Sequence, residues 1–251
     1  SVSLADPQLT PAKPLPLFLR LAELLARAIA AGHYLAGERL PPESELAVSL
    51  GTSVGTVRKA LALLVSRGLL ARKQGSGTYV LDRMPALSSQ PTLSRNIYDF
   101  FRLELSACGG LPSALLIDLK KVRRPKSLPG LGDGSSSQYY RVRRLRFLND
   151  TPVALEEIWF DARHCPHLRI EDLDESLYHF YETTLGFWIC HVEDRTRVGI
   201  VPNWAPGQFS LSPGHSCCTI ERKAWSGNGK LEECSSTWVD TRLAQYVARW
   251  S

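Results

Sequence analysis

The stretch from Leu40 to Val80 limits the possible folds more than any other part of the chain, because proline and glycine punctuate it at short intervals. Pro41 and Pro42 open a helix but cannot sit inside one, since each fixes φ and lacks an amide donor. A short helix over 43–50 follows, with acids in its first turn, where the helix dipole favours them, and Gly51 beyond its end. Ser53 then caps a further helix whose apolar face is Val57, Leu61 and Leu64, and which Gly68 terminates. Residues 69–80 read as two short strands around Gln74-Gly75-Ser76-Gly77, a hairpin that needs glycine for its turn. Upstream, after a loose lead containing Pro7, Pro11 and Pro14, the spacing of Phe18, Leu21, Leu25 and Ile29 predicts a helix over 17–31, stopped by Gly32.

Two short helices joined by a turn of three to four residues form a helix-turn-helix, whose second helix enters the DNA major groove by its N-terminus. Ser53, Gly55, Thr56 and Arg58 would lead, with Lys59 beside them. The hairpin is then a wing, where Arg72, Lys73, Gln74 and Gly75 reach phosphates or the minor groove, and Arg39 joins this candidate set. Charge agrees with a polyphosphate partner. Residues 1–81 carry a net charge of +4 and residues 82–251 only +1, and residues 51–81 contain five basic side chains and no acid. A solvated helix face is the alternative reading of the same charges.

The strings LPPESELA from Leu40, GTSVGTVRKAL from Gly51 and GLLARKQGSGTYV from Gly68 together resemble the winged helix-turn-helix of GntR-type transcription regulators. Ser44 and Val54 stand where many members carry arginines that touch DNA, which implies an operator unlike the common family sequence.

From Asp82 to Arg95 the chain has little periodicity and two prolines, which predicts a linker. The expected organisation is a tail over 1–14, a winged helix over 15–81, a linker over 82–95 and a second domain over 96–251. In the second domain, 96–105 has helical spacing, and strands are expected over 115–122, 139–148, 153–160, 189–201, 217–225 and 231–239, with a helix over 175–185. The fold class is therefore α+β, with the second domain built on an antiparallel sheet.

The run RRLRFLNDTPVALEEIWF from Arg143, then Ser176-Leu177-Tyr178, then GKLEECS from Gly229, resembles the UTRA effector domain of the HutC subfamily, whose fold is similar to chorismate lyase. That resemblance implies that Arg144 and Arg146 receive an anionic group, that Ser176 offers a helix start to it, and that Glu156 and Glu233 bind hydroxyl or amino groups, with Tyr178 and Ser235 as further members. It also implies a homodimeric repressor on a palindromic operator, modulated by a sugar phosphate, phosphonate or carboxylate, with no cofactor. Alternate strand residues share a face, so two arginines spaced by two could hold one anion bidentately. Surface ion pairing is the other reading of those arginines, and simple capping that of Ser176.

Other classes of function are less well supported. Glu156 and Glu157 are adjacent and face opposite sides of a strand, which argues against a catalytic carboxylate pair, and no phosphate-binding or nucleophile motif of the common enzymes is present. His164, Cys165 and His167 raise a metal-responsive alternative, although a tetrahedral site needs more ligands. No apolar run approaches the roughly 20 residues of a membrane span. The absence of an export pattern predicts a cytoplasmic protein, in which the six cysteines are packing residues.

Overall fold

A computed structural model describes residues 8–82, 97–106 and 109–249. In chain order its elements are β1 (Thr10–Pro11), α1 (Leu17–Ala30), α2 (Glu43–Ser49), α3 (Val54–Ser66), β2 (Leu70–Lys73), β3 (Gly77–Val80), β4 (Leu103–Leu105), β5 (Pro112–Arg123), β6 (Gln138–Leu148), β7 (Thr151–Asp161), α4 (Leu177–Phe180), β8 (Ile189–Ile200), β9 (Ser216–Ser226), β10 (Leu231–Val239) and β11 (Ala244–Tyr246). They fall into two compact units, one of 15–111 with 247–251 and one of 1–14 with 112–246. Of the linker expected over 82–95, only Asp82 lies among the described residues.

In the first unit, α1, α2 and α3 bury one apolar stripe each. Leu21 and Leu25 of α1, Leu46 of α2, and Val57, Leu61 and Leu64 of α3 form a single core that Leu40, Leu70 and Val80 close from the wing side. The Ser53 hydroxyl accepts the Thr56 amide at 3.1 Å and so caps α3. Gly51 sits at φ 61°, the left-handed conformation that lets α2 stop and α3 start at once. β2 and β3 pair antiparallel from Leu70↔Val80 to Lys73↔Gly77, and Arg39 adds a bridge to Tyr79.

The helical spacing read over 96–105 does not give a helix in the described part of that segment. Residues 97–100 form a turn and 103–105 are β4. Tertiary contacts win over local periodicity here. Tyr98 and Phe101 pack on Leu15 and Leu19, and the amides of Ile97 and Tyr98 donate to the buried Glu23 carboxylate.

The second unit is built on a seven-stranded antiparallel sheet in the order β1-β5-β6-β7-β10-β9-β8. Register sets its chemistry, because Arg144 lies opposite Glu156, Glu156 opposite Thr237, Ser235 opposite Arg222, and Arg222 opposite Asp194. One face therefore carries Arg144, Arg146, Glu156, Glu233, Ser235, Arg222 and Asp194. The opposite face carries Leu145, Leu155 and Trp238, which form an apolar cluster with Phe209 and Trp204. The helix expected over 175–185 begins after Ser176, runs one turn as α4, widens into a π-helical stretch over Tyr181–Leu185 and ends at Gly186 with φ 79°. No single helix among the described residues is long and apolar enough to cross a membrane.

Candidate functional site

The winged-helix unit gathers its candidate residues at one end. Gly55, Arg58 and Lys59 are exposed on the first turns of α3, and the Ser53 and Thr56 hydroxyls lie 2.8 Å apart. Arg39, Arg72, Lys73 and Gln74 line a groove of about 290 Å³ between the wing and the start of α2. Lys73 lies 4.3 Å over the Tyr79 ring, and Gly75 holds the hairpin turn at φ 70°. Gly77 sits at φ 125°, which favours glycine, close under the Arg39 side chain. A Cβ there would stand 2.7 Å from Nε of Arg39. Glu43, which the sequence reading did not single out, accepts from Arg58 Nε at 2.9 Å and from Arg72 Nη2 at 3.3 Å.

The candidate effector residues also converge, but as a closed network. Arg144 donates from Nε and Nη2 to one Glu156 oxygen at 2.9 and 2.6 Å, and both Arg144 and Arg146 donate to the Glu175 carbonyl, at 3.3 and 2.9 Å. Both arginines are buried. Burial alone would raise the Glu156 carboxyl, but the charges of Arg144 and Arg146 outweigh it and hold Glu156 below the ordinary carboxylate value. Ser176, next to the shared carbonyl, accepts the His179 amide at 3.3 Å and caps α4. Ser235 is half-buried beside Arg222 on the same face.

Glu233 is the centre of a second cluster. It accepts from Tyr181 at 2.6 Å and from Tyr178 at 3.4 Å, while Arg222 grips Asp194 through two bonds of 2.6 and 2.7 Å and Tyr246 donates to the same carboxylate. Tyr181, Arg222, Asp194 and Glu175 were not named from the sequence. Tyr181 was within reach, being three residues from Tyr178 and so on the same helix face. Arg222 and Asp194 required the register of β8 on β9. Among the described residues, Arg144 and Arg222 of this face pair with the Glu156 and Asp194 carboxylates, so much of its charge is met within the protein.

Burial pushes the Glu233 carboxyl up to about 7, against the Tyr181 hydrogen bond and the nearby Arg222 and Arg144. The ordinary value is 4.5. Between these values the folded chain holds a proton that the unfolded chain has released, so stability is highest at the acid end of the window and declines as pH rises, by up to about 1.4 kcal/mol per pH unit. Thermal melts from about pH 5 to about pH 8 should show that decline, and Glu233→Gln should flatten it. An unchanged slope in the variant would place the titration elsewhere.

His164 lies 3.0 Å from Glu232, and the neighbouring Cys165 carbonyl accepts Tyr140. Among the described residues, no three His, Cys, Asp or Glu side chains converge as a metal site. Glu156 and Glu157 part as expected, Glu157 meeting Arg143 and Trp159 on the other face.

Residues 17–80 match the profile described as bacterial regulatory proteins, gntR family, and residues 108–242 match that of the UTRA domain. The HTH-type transcriptional regulator SmoD of Agrobacterium fabrum is 43% identical over 235 residues, covering 94% of this chain and 96% of that protein. The HTH-type transcriptional repressor NagR of Bacillus subtilis is 32% identical over 244 residues, covering 95% and 97%. The solved structure of YydK from Bacillus subtilis has the same fold, with a TM-score of 0.52 at 20% identity over 94% of this chain and 100% of that one.

Proposed function

The chain belongs to the GntR family of bacterial regulators and carries a UTRA domain, and from that premise we propose that it is a homodimeric repressor whose hold on a palindromic operator is modulated by a small anionic metabolite. As a family member it is a DNA-binding transcription regulator and not an enzyme. In the proposed division of labour, α3 and the wing meet DNA. Lys59, Arg72 and Lys73 supply phosphate contacts, and the exposed start of α3, Arg58 included, reads bases. The effector occupies the polar face of the UTRA sheet, beneath the turn that begins at Ser176.

One observation carries the effector reading. Arg144 and Arg146 are buried side by side on a strand and aimed at a helix start, an arrangement that costs folding energy and that apolar residues could replace. An anion that displaces Glu156 or the Glu175 carbonyl from these guanidiniums would shift the α4 segment, and Glu233 with Tyr178 offers acceptors and donors to its hydroxyl groups. Binding that prefers one arrangement of this segment couples the effector to DNA affinity.

The test separates the two functions. Arg58→Ala is expected to lower DNA affinity about tenfold or more and leave effector-induced thermal stabilisation intact, whereas Arg144→Ala does the reverse. The ligand panel is sugar phosphates, phosphonates, carboxylates and amino acids, scored by the rise in melting temperature. Loss of both activities in either folded variant contradicts this division. Stabilisation by neutral compounds alone contradicts the anionic effector.

A further inference from the structure

We propose that Glu43 is a positioning residue for DNA recognition, setting Arg58 of the recognition helix and Arg72 of the wing in one constellation before DNA arrives. The inference rests on the reading that this end of the winged-helix unit faces DNA. Glu43 sits in the first turn of α2, and its two carboxylate oxygens are taken by different elements, Oε2 by Arg58 and Oε1 by Arg72. The partners lie 15 and 29 residues away in the chain. The side chain of Glu43 is 26% exposed, against 60% for Arg58 and 45% for Arg72, so the acid sits beneath the two bases it holds.

Glu43 is the single acid among the described residues lining the groove, alongside Arg39, Arg72 and Lys73. An acid on a phosphate-facing surface lowers affinity for every DNA sequence, since it subtracts from the charge available to displace counterions. Geometry shows what it supplies in return. A guanidinium has five N–H donors, and in these ion pairs Arg58 gives Glu43 its Nε–H and Arg72 one Nη2–H, which leaves forked donors on each to reach a duplex. Long exposed arginines lose side-chain freedom when they bind, and a partner that restrains them beforehand lowers that cost. The same tie sets the wing relative to the recognition helix, so both reach one stretch of DNA in a fixed register.

Charge and position therefore make opposite predictions, which the experiment exploits. The full chain, Glu43→Gln, Arg58→Ala and the double variant are measured by fluorescence anisotropy on two duplexes. One is the sequence that the wild-type chain itself selects from a random pool; the other is a random duplex of equal length. Glu43→Gln is expected to bind the selected duplex about tenfold more weakly and the random duplex about two- to fivefold more tightly, with a salt dependence on the random duplex steeper by up to roughly one. In the Arg58→Ala background the same change should cost the selected duplex little, because the group it positions is gone.

Equal tightening on both duplexes would overturn the proposal and make Glu43 a mere counter-charge. A changed base preference that persists without Arg58 would overturn it too, making Glu43 itself the reader. Weakening on both duplexes with a lowered melting temperature would reduce it to a structural tie. If Arg58→Ala loses affinity while Glu43→Gln leaves the ratio between duplexes unchanged, this inference alone fails. If Arg58→Ala binds both duplexes normally, the assignment of the DNA-facing surface fails with it.

Discussion

Arg67→Ala is expected to lower the stability of the winged-helix unit by about 3–5 kcal/mol, a loss far beyond that of removing a surface arginine. Glu23 is 0% exposed and accepts from Arg67 Nη1 at 2.7 Å, from the Ile97 amide at 3.0 Å and from the Tyr98 amide at 3.3 Å. Burial already pulls its carboxyl upward against these partners. Without Arg67 the charge loses this ion-pair partner, which favours the protonated carboxyl in the buried site. The loss should therefore be smaller at about pH 5 than at about pH 8, because the folded variant then holds a proton released on unfolding. Urea unfolding of the full chain, followed at both pH values, measures it, with the two units treated as separate transitions where they part. A loss below about 1 kcal/mol, equal at both pH values, would mean that water reaches Glu23. Glu23→Leu with Arg67→Met should recover part of the loss. Recovery stays incomplete because the Ile97 and Tyr98 amides are orphaned, at about 1–3 kcal/mol each if they stay dry.

The second large effect is expected at Glu156, the acid that Arg144 grips. Glu156→Ala removes the carboxylate that Arg144 grips and leaves two guanidiniums, both bonded to the Glu175 carbonyl, inside the sheet unit, and should destabilise that unit by about 3–5 kcal/mol. This variant also interrogates the site. Inorganic phosphate at about 50 mM should raise its melting temperature more than that of the wild-type chain, since an anion can now take the vacated place beside the two guanidiniums. A variant that melts at the wild-type temperature would show that the arginines reach water and need no partner. A destabilised variant indifferent to phosphate would show that the cavity admits no anion, and would remove the main support for an anionic effector.

The parts of the fold that were legible in the sequence are those decided within a turn or two of chain. Ser53 as a cap, Gly51 and Gly68 as stops, and the hairpin at Gly75 are local matters, set by one residue's hydrogen bond or φ. The strands around Arg144 and Glu156 were legible, and with them the separation of Glu156 from Glu157, since neighbours on a strand face opposite sides. The segment after the linker was misread for the same reason in reverse. Its spacing of aromatics suits a helix, but Glu23 and the apolar face of α1 hold it otherwise. Ser176 as a helix start was legible; that the helix widens after one turn was not.

By itself, then, the sequence determined a basic winged helix-turn-helix followed by an antiparallel α+β domain, and it named the strand arginines and acids that carry charge inward. Periodicity, caps and turn residues act between near neighbours, and one chain displays them in full. Only the tertiary structure decided which of these charges meet. Glu43 with Arg58 and Arg72, Glu23 with Arg67, Arg222 with Asp194, and Tyr181 with Glu233 join residues 15 to 52 apart. Such pairings depend on strand register and on which helix face is buried, and a slip of one residue would turn every side chain of a strand to the opposite face.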